Sequence, residues 1–350
     1  MATLTMTWSL SRIPSGTGQQ FKKDACVSLR QLVSAVPRFP SQEIRTRDFV
    51  RCAVSSAPSP DVGASPKLES VTEEKVKLVC PVCQKPVVGS SSQSFRLPTA
   101  KGEFLCQSCR KSYSSKGGII DLTIPNRASA TPLGSSFFQN PLIAYVYERG
   151  YRDNFARAGF PGFDEEAQRA QDILKPARGD VIMDLSCGPG GFTRRFVTSE
   201  EYETVIAADF SEAMLEQCRG FLQSDRSVDL DKVVLVRADA ARLPFATASL
   251  AGVHAGAAIH CWPNMQSSVA EISRVLKPGG IFVASTFITP SVPGFDETLR
   301  PIRETVNLLQ LQIRWFAESD LRSLVESCGF INWQAYRRGR YILFSASKPE

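Results

Sequence analysis

The chain has 350 residues, 43% of them hydrophobic, with 41 Lys and Arg against 35 Asp and Glu and a formal net charge of +6. That length accommodates two modest domains, and the apolar content is ample for a core. No uninterrupted apolar run reaches the ~18 residues that a bilayer-crossing helix needs, so a soluble or peripheral protein is expected, with no transmembrane segment.

Residues 1–52 carry eight Lys and Arg against three Asp and Glu, with Ser and Thr frequent and no sustained periodicity. This composition resembles a chloroplast transit peptide, and Val50-Arg51-Cys52-Ala53 resembles a plastid processing site; a disordered tail is the plainer alternative. Without this segment the formal charge falls to about +1, so most of the basicity belongs to the leader. Residues 53–70 are rich in Ser, Pro and Ala, cannot bury a core and read as a disordered linker.

Residues 71–127 read as a small N-terminal zinc-ribbon module. Cys80-Pro-Val-Cys83 and Cys106-Gln-Ser-Cys109 are two CxxC knuckles separated by twenty-two residues. That spacing puts Cys80, Cys83, Cys106 and Cys109 around one tetrahedral ion, for which structural zinc is the expected occupant. A redox pair or unrelated thiols are the alternatives. A closed set of four thiolates leaves no position for water or substrate, so the site is structural rather than catalytic. In residues 135–174, Phe137, Phe138, Leu142, Ile143, Val146, Tyr147, Tyr151 and Phe155 recur at helical spacing. They predict packing helices, followed by a short helix over Glu165–Leu174; resemblance to cofactor-binding folds in which a helix ahead of the first strand closes over the ligand implies the other reading, a lid with Tyr147, Tyr151 or Arg152 available to touch it.

Residues 175–350 then alternate strand, loop and helix. Val181–Leu185 is an apolar strand that runs through Asp184 into Ser186-Cys187-Gly188-Pro189-Gly190-Gly191, a loop of small side chains that lets backbone approach a ligand ahead of a helix N-terminus. Thr204–Asp209 is a second strand ending in a carboxylate placed for ribose hydroxyls, followed by Phe210 and Met214 where the next helix opens. Val233–Arg237 leads to Asp239-Ala240, an acid and a small residue suited to an adenine edge, and then to Leu243-Pro-Phe245. Glu271–Leu276 predicts a helix, Lys277-Pro-Gly-Gly280 a turn, and Ile281 onward a fifth strand. Residues 290–312 read as an insertion. Ser319 is the expected cap of a helix over Asp320–Cys328, stopped by Gly329. Ile331–Tyr336 and Tyr341–Ala346 make a terminal hairpin.

Together these motifs resemble the class I S-adenosylmethionine-dependent methyltransferases of plant chloroplasts, type 11 domain, with a four-cysteine zinc module ahead of the catalytic domain. The resemblance implies an α/β fold: a seven-stranded Rossmann-like sheet with an antiparallel last strand. It also implies that S-adenosylmethionine is held by Asp184, Ser186, Cys187, Gly188, Gly190, Asp209, Phe210, Met214, Asp239 and Ala240. Two positions depart from the family pattern: Ser186 stands where glycine is usual, and Ala251 where an acid is usual. The catalytic residue is not identified: His260, after the fourth strand, is either a candidate general base or a structural and positioning residue, and His254 is a wall residue of that strand. Cys187, although it lies in the loop, and Cys218, Cys261 and Cys328 read as packing residues.

The substrate stays open at this level. The Leu243-Pro-Phe245 and Lys277-Pro-Gly-Gly280 variants resemble those of the subgroup that includes quinone C-methyltransferases, which implies a small lipophilic or quinone-like acceptor, and plastid proteins similar to this one are associated with lipid droplets called plastoglobules. The alternative is a ribosomal-RNA guanine methyltransferase, since a zinc module in the same order precedes those enzymes. Nine Lys and Arg against four Asp and Glu in residues 71–127 make only a modest basic face, and no strip of interleaved basic and aromatic residues accompanies it. A cofactor-binding protein without turnover is the third reading.

Overall fold

The computed structural model describes residues 76–89, 102–124, 159–289 and 316–350, all within one compact unit, Ser70–Glu350. The segments expected to be a transit peptide, a linker, packing helices before residue 159 and an insertion at 290–312 lie outside the described residues.

Three short, predominantly apolar runs make the centre of the sheet. β5 (Val181–Leu185), β6 (Thr204–Asp209) and β7 (Val233–Arg237) are buried along almost their whole length, as strands covered on both faces must be. They pair in parallel with β8 (Leu250–Ala255) and β9 (Leu276–Phe287), and the hairpin β10 (Ile331–Arg338) and β11 (Tyr341–Ser347) adds to β9 antiparallel. The order β7-β6-β5-β8-β9-β11-β10 is the expected seven-stranded sheet with an antiparallel final strand. The strand order changes direction between β5 and β8, which opens the crevice where ligands bind in such folds.

Alternate residues of each strand feed two cores. Ile182, Val205 and Ala207 face one side, with Ala170 of α1 (Phe163–Ile173), Phe196 of α2 (Gly191–Thr198) and Leu215 and Leu222 of α3 (Glu212–Ser224). Met183, Ile206 and Ala208 face the other, with Ile272 of α4 (Met265–Val275) and Leu321 of α5 (Glu318–Ser327).

The cysteine-bearing segment continues this sheet. β1 (Val87–Gly89), β2 (Gly102–Cys106), β3 (Ser112–Lys116) and β4 (Ile119–Asp121) form an antiparallel set whose last member pairs in parallel with β7, making eleven strands. Phe104, Cys106, Tyr113 and Ile120 join the α4/α5 core. A second seam runs beside it, where Val79 N–H donates to Pro244 O at 2.9 Å and Ala246 N–H to Lys77 O at 2.9 Å.

Three local expectations need correction. The turn at Lys277–Gly280 lies inside β9, because Gly279 N–H donates to Lys348 O and Lys348 N–H to Gly280 O, so the C-terminal tail makes a strand partner there. α5 begins two residues before Asp320, at Glu318: its N-cap is Ala317, whose N–H is taken by the Asp320 carboxylate at 3.3 Å, and Ser319 is inside the helix. α1 begins at Phe163, which brings Asp164, Glu165 and Glu166 into its first turn.

Candidate functional site

The ends of β5, β6 and β7 converge through hydrogen bonds that the residue types dictate. Gly188 and Gly190 have φ +55 and +85 in the loop after β5, conformations glycine adopts at no steric cost. A Cβ on Gly188 would meet nothing within 4 Å, whereas one on Gly190 would lie 2.4 Å from Cys218 Sγ. One glycine therefore keeps space open above the loop, and the other lets the loop pack on α3. Gly188 N–H donates to Asp209 Oδ2 at 2.9 Å and Ser211 N–H to Asp209 Oδ1 at 2.8 Å. Burial raises the Asp209 carboxyl above its ordinary range, opposed by these two amides. The carboxylate keeps further lone pairs for a ligand.

Ala238 N–H donates to Asp209 O at 3.0 Å, tying the third strand end to the second. Asp239 Oδ1 caps its own turn by accepting from Ala241 N–H at 2.9 Å, with Ala240 half-buried beside it. Phe210, 37% exposed, projects at the rim. Met214 is buried in the first turn of α3, where its N–H meets the Ser211 hydroxyl at 3.3 Å. Cys187 is buried as a packing residue would be, and its N–H holds Ala208 O.

Asp184 works from beneath rather than within this cradle. Its Oδ2 accepts from Thr193 Oγ1 at 2.6 Å and its Oδ1 from His254 Nδ1 at 2.9 Å, all three side chains being buried. It braces β5 to β8 and α2, so His254 is a brace as well as a wall.

The segment after β8 makes the far side of the crevice, and three polar contacts hold it. Ala257, at φ +52, donates its N–H to Ser285 Oγ at 2.8 Å, and Ser285 donates to the buried Glu166 carboxylate at 2.6 Å. His260 Nδ1 meets Thr286 Oγ1 at 2.9 Å, and burial drops the imidazole to about 4. Trp262 Nε1–H donates to Ser186 Oγ at 3.0 Å. Glu166, Ser285, Thr286 and Trp262 are absent from the sequence-derived site because no local pattern marks them; only the Trp262 run beside His260 was within reach.

Across β7, the four predicted ligand cysteines come together. Cys80, Cys83, Cys106 and Cys109 have Sγ atoms within 4.8 Å of one another. The two knuckles are near copies: Gln84 N–H donates to Cys80 O and Arg110 N–H to Cys106 O, with Gln84 and Arg110 both in left-handed backbone at φ 59 and 60. Sγ pairs at 3.4 and 3.5 Å are close to the ~3.8 Å separation that Zn–S bonds of ~2.3 Å give in a tetrahedron. Burial opposes ionisation of Cys80, but hydrogen bonds from Tyr113 and the Cys83 and Val82 amides outweigh it and bring that thiol down to about 7. Cys109 is driven up to about 12 in spite of the Lys111 N–H, by burial and the neighbouring thiols. Four cysteine Sγ atoms within 4.8 Å of one another make a compact donor set whose spacing fits zinc.

The family of methyltransferase domains matches residues 183–284. Two uncharacterised chloroplastic methyltransferases of Arabidopsis thaliana are similar over most of the molecule: one is 38% identical across 88% of this chain and 88% of its own length, the other 40% identical across 79% and 80%. A demethylmenaquinone methyltransferase of Clavibacter sepedonicus is 37% identical over 37% of this chain and 51% of its own length.

Proposed function

The chain belongs to the S-adenosylmethionine-dependent methyltransferases, and from that premise we propose that it methylates a small lipophilic, quinone-like acceptor in the chloroplast. The observation that carries the substrate class is the largely apolar segment after β8, which meets the cofactor loop at Trp262: Ile259, His260 and Trp262 are buried there, and His260 packs edge-on to Phe287 of β9 at 5.1 Å. An apolar wall suits a ring system and keeps water from the transfer. The charge of about +1 without residues 1–52 leaves little with which to neutralise an RNA backbone. Similarity to demethylmenaquinone methyltransferases points the same way. Residues 1–52 as a transit peptide, and the chloroplastic designation of both Arabidopsis relatives, support the compartment. A lipophilic acceptor also fits peripheral association with plastid lipid droplets.

S-adenosylmethionine supplies an electrophilic methyl group that leaves a sulfonium by in-line displacement. The chain's part is to bind, align and exclude water. Asp209 offers lone pairs to ribose hydroxyls, Asp239 and the Ala240 amide offer an acceptor and a donor to the adenine edge, and Phe210 and Met214 flank them. Gly188 leaves space that would accept the methionine portion, and the first turn of α2, which has no side-chain cap, would offer amide donors to its carboxylate. His260 is unprotonated near neutrality, but burial that lowers it to about 4 also makes it a weak base, and its bond to Thr286 suits a positioning role as well as a catalytic one. Zinc in the four-cysteine site would fix the strand pairs β1–β4 and so the β7 edge that they cover.

Calorimetry with S-adenosylmethionine, followed by incubation with the methyl-labelled cofactor, tests the reading. Label in a plastid lipid extract supports it, label in ribosomal RNA overturns the substrate class, and binding without any transfer overturns turnover itself.

A further inference from the structure

The residue that departs from the family's glycine carries its own compensation. Ser186 has φ +59, a left-handed backbone that glycine adopts freely and other residues adopt only under strain. Its hydroxyl accepts the Trp262 Nε1–H at 3.0 Å across 76 positions of sequence. Trp262 is 5% exposed and closes the short 3-10 turn Ile259–Cys261 after β8. An indole nitrogen is a donor only, so buried in this place it needs an acceptor, which glycine at 186 would not supply. The far side of the contact is rigid, because the segment is pinned by Ala257 on Ser285 and by His260 on Thr286.

We infer that Trp262 is a positioning residue for cofactor binding: its indole N–H holds Ser186 in the left-handed conformation and locks the loop after β5 to the segment after β8. The serine is then half of a matched pair rather than a weakened glycine. Either member alone is worse than both together or neither. This rests on the reading of the β5–α2 loop as the S-adenosylmethionine cradle, and adds to it a side chain from outside that loop.

The test is S-adenosylmethionine affinity of the full chain by calorimetry for wild type, Trp262→Phe, Ser186→Ala, Ser186→Gly and the double variant Ser186→Gly/Trp262→Phe. Trp262→Phe keeps an aromatic ring but releases Ser186 from its tie to the segment after β8, and is expected to weaken binding about tenfold, the equivalent of one hydrogen bond used in re-forming the loop. Ser186→Ala keeps the strained φ and loses the acceptor, so it should be about as weak. Ser186→Gly relieves the strain but strands the indole N–H, so it should lose about threefold. The double variant needs neither the strain nor the acceptor and is expected within about twofold of wild type. A double variant as weak as Trp262→Phe overturns the proposal, because a tryptophan that merely packs cannot be rescued from position 186. Ser186→Ala binding as well as Ser186→Gly overturns it equally, without touching the core. Wild-type protein that binds no S-adenosylmethionine removes the cradle reading itself, a result distinct from either of these and one that takes the proposal down with it.

Discussion

Replacing Asp184 by Asn should cost far more than a near-isosteric change of one atom. The carboxylate is 1% exposed and its two bonding partners, Thr193 and His254, are fully buried. His254 Nε2 is buried without a partner among the described residues, so the proton belongs on Nδ1, where it reaches Asp184 at 2.9 Å; a bare lone pair at Nε2 is less costly to bury than an orphaned N–H. An asparagine offers one acceptor oxygen and one amide to two groups that both donate. In one orientation the amide faces the imidazole N–H; in the other it faces the Thr193 hydroxyl, which must turn to accept. A proton shift on His254 relieves the first clash only by stranding N–H at Nε2. One buried donor is therefore left unpaired, at about 1–3 kcal/mol, and a charge-assisted bond becomes a neutral one for about 1 kcal/mol more. The total of about 2–4 kcal/mol corresponds to a fall in Tm of roughly 4–15 °C for a unit of this size. Urea unfolding followed by circular dichroism measures it, and the affinity for S-adenosylmethionine should drop in parallel because Ser186 follows two positions later. An Asp184→Asn protein that unfolds within about 0.5 kcal/mol of wild type would refute the argument that this carboxylate is a brace.

The two loop glycines should fail in opposite ways. Gly190→Ala drives a Cβ to 2.4 Å from Cys218 Sγ at φ +85 and is expected to destabilise the fold by about 2–4 kcal/mol, whereas Gly188→Ala meets no protein atom, loses about 1–2 kcal/mol and instead abolishes cofactor binding; melting curves read beside calorimetry separate the two. In the cysteine cluster, Cys109→Ser should eliminate a stoichiometric zinc seen by elemental analysis. Tyr113→Phe, which removes the hydroxyl 3.0 Å from Cys80 Sγ, should weaken zinc about tenfold by chelator competition; full retention of metal in Cys109→Ser would refute the four-ligand site. His260 contributes a pH term of definite sign. Its folded value of about 4 lies below the ~6.5 of an unfolded histidine, so the unfolded chain takes up a proton first as pH falls. Stability is full above about pH 6.5 and is lost progressively down to about pH 4, by at most about 3 kcal/mol. His260→Gln should flatten that part of the urea-midpoint profile, and an unchanged slope would show that another group is responsible.

What the sequence disclosed of this site is what local pattern can disclose. The strand Val181–Leu185 and the small residues after it announce a cradle because burial on both faces demands continuous apolar residues and close approach demands glycine. Asp209 is legible for the same reason, as the residue where an apolar run stops. The contacts that shape the cradle have no such signature: Asp184 with His254 spans 70 positions, Ser186 with Trp262 76, and Ser285 with Glu166 119. Glu166 reads in sequence as one of three acids in a first helical turn, and only the packing of α1 on β9 takes it out of water.

The cysteine segment illustrates the same limit at the scale of a strand. Ile119-Ile120-Asp121 reads as the tail of a self-contained module, yet both isoleucines are buried, one in each core, because the strand lies within a sheet and not at the end of one. Without it β7 would present an unpaired edge of apolar residues, the arrangement that invites pairing with a second chain. β4 covers that edge through Ile119–Asp121 against Leu235–Arg237, and Asp121 closes it with an ion pair to Arg237 at 3.0 Å. Arg237 in turn donates to Phe210 O at 3.1 Å, directly after Asp209, and Leu122 N–H donates to Arg237 O two residues before Asp239. The four-cysteine segment therefore buttresses the ends of both β6 and β7, where Asp209 and Asp239 lie, and its folding and that of the proposed cradle are one problem rather than two.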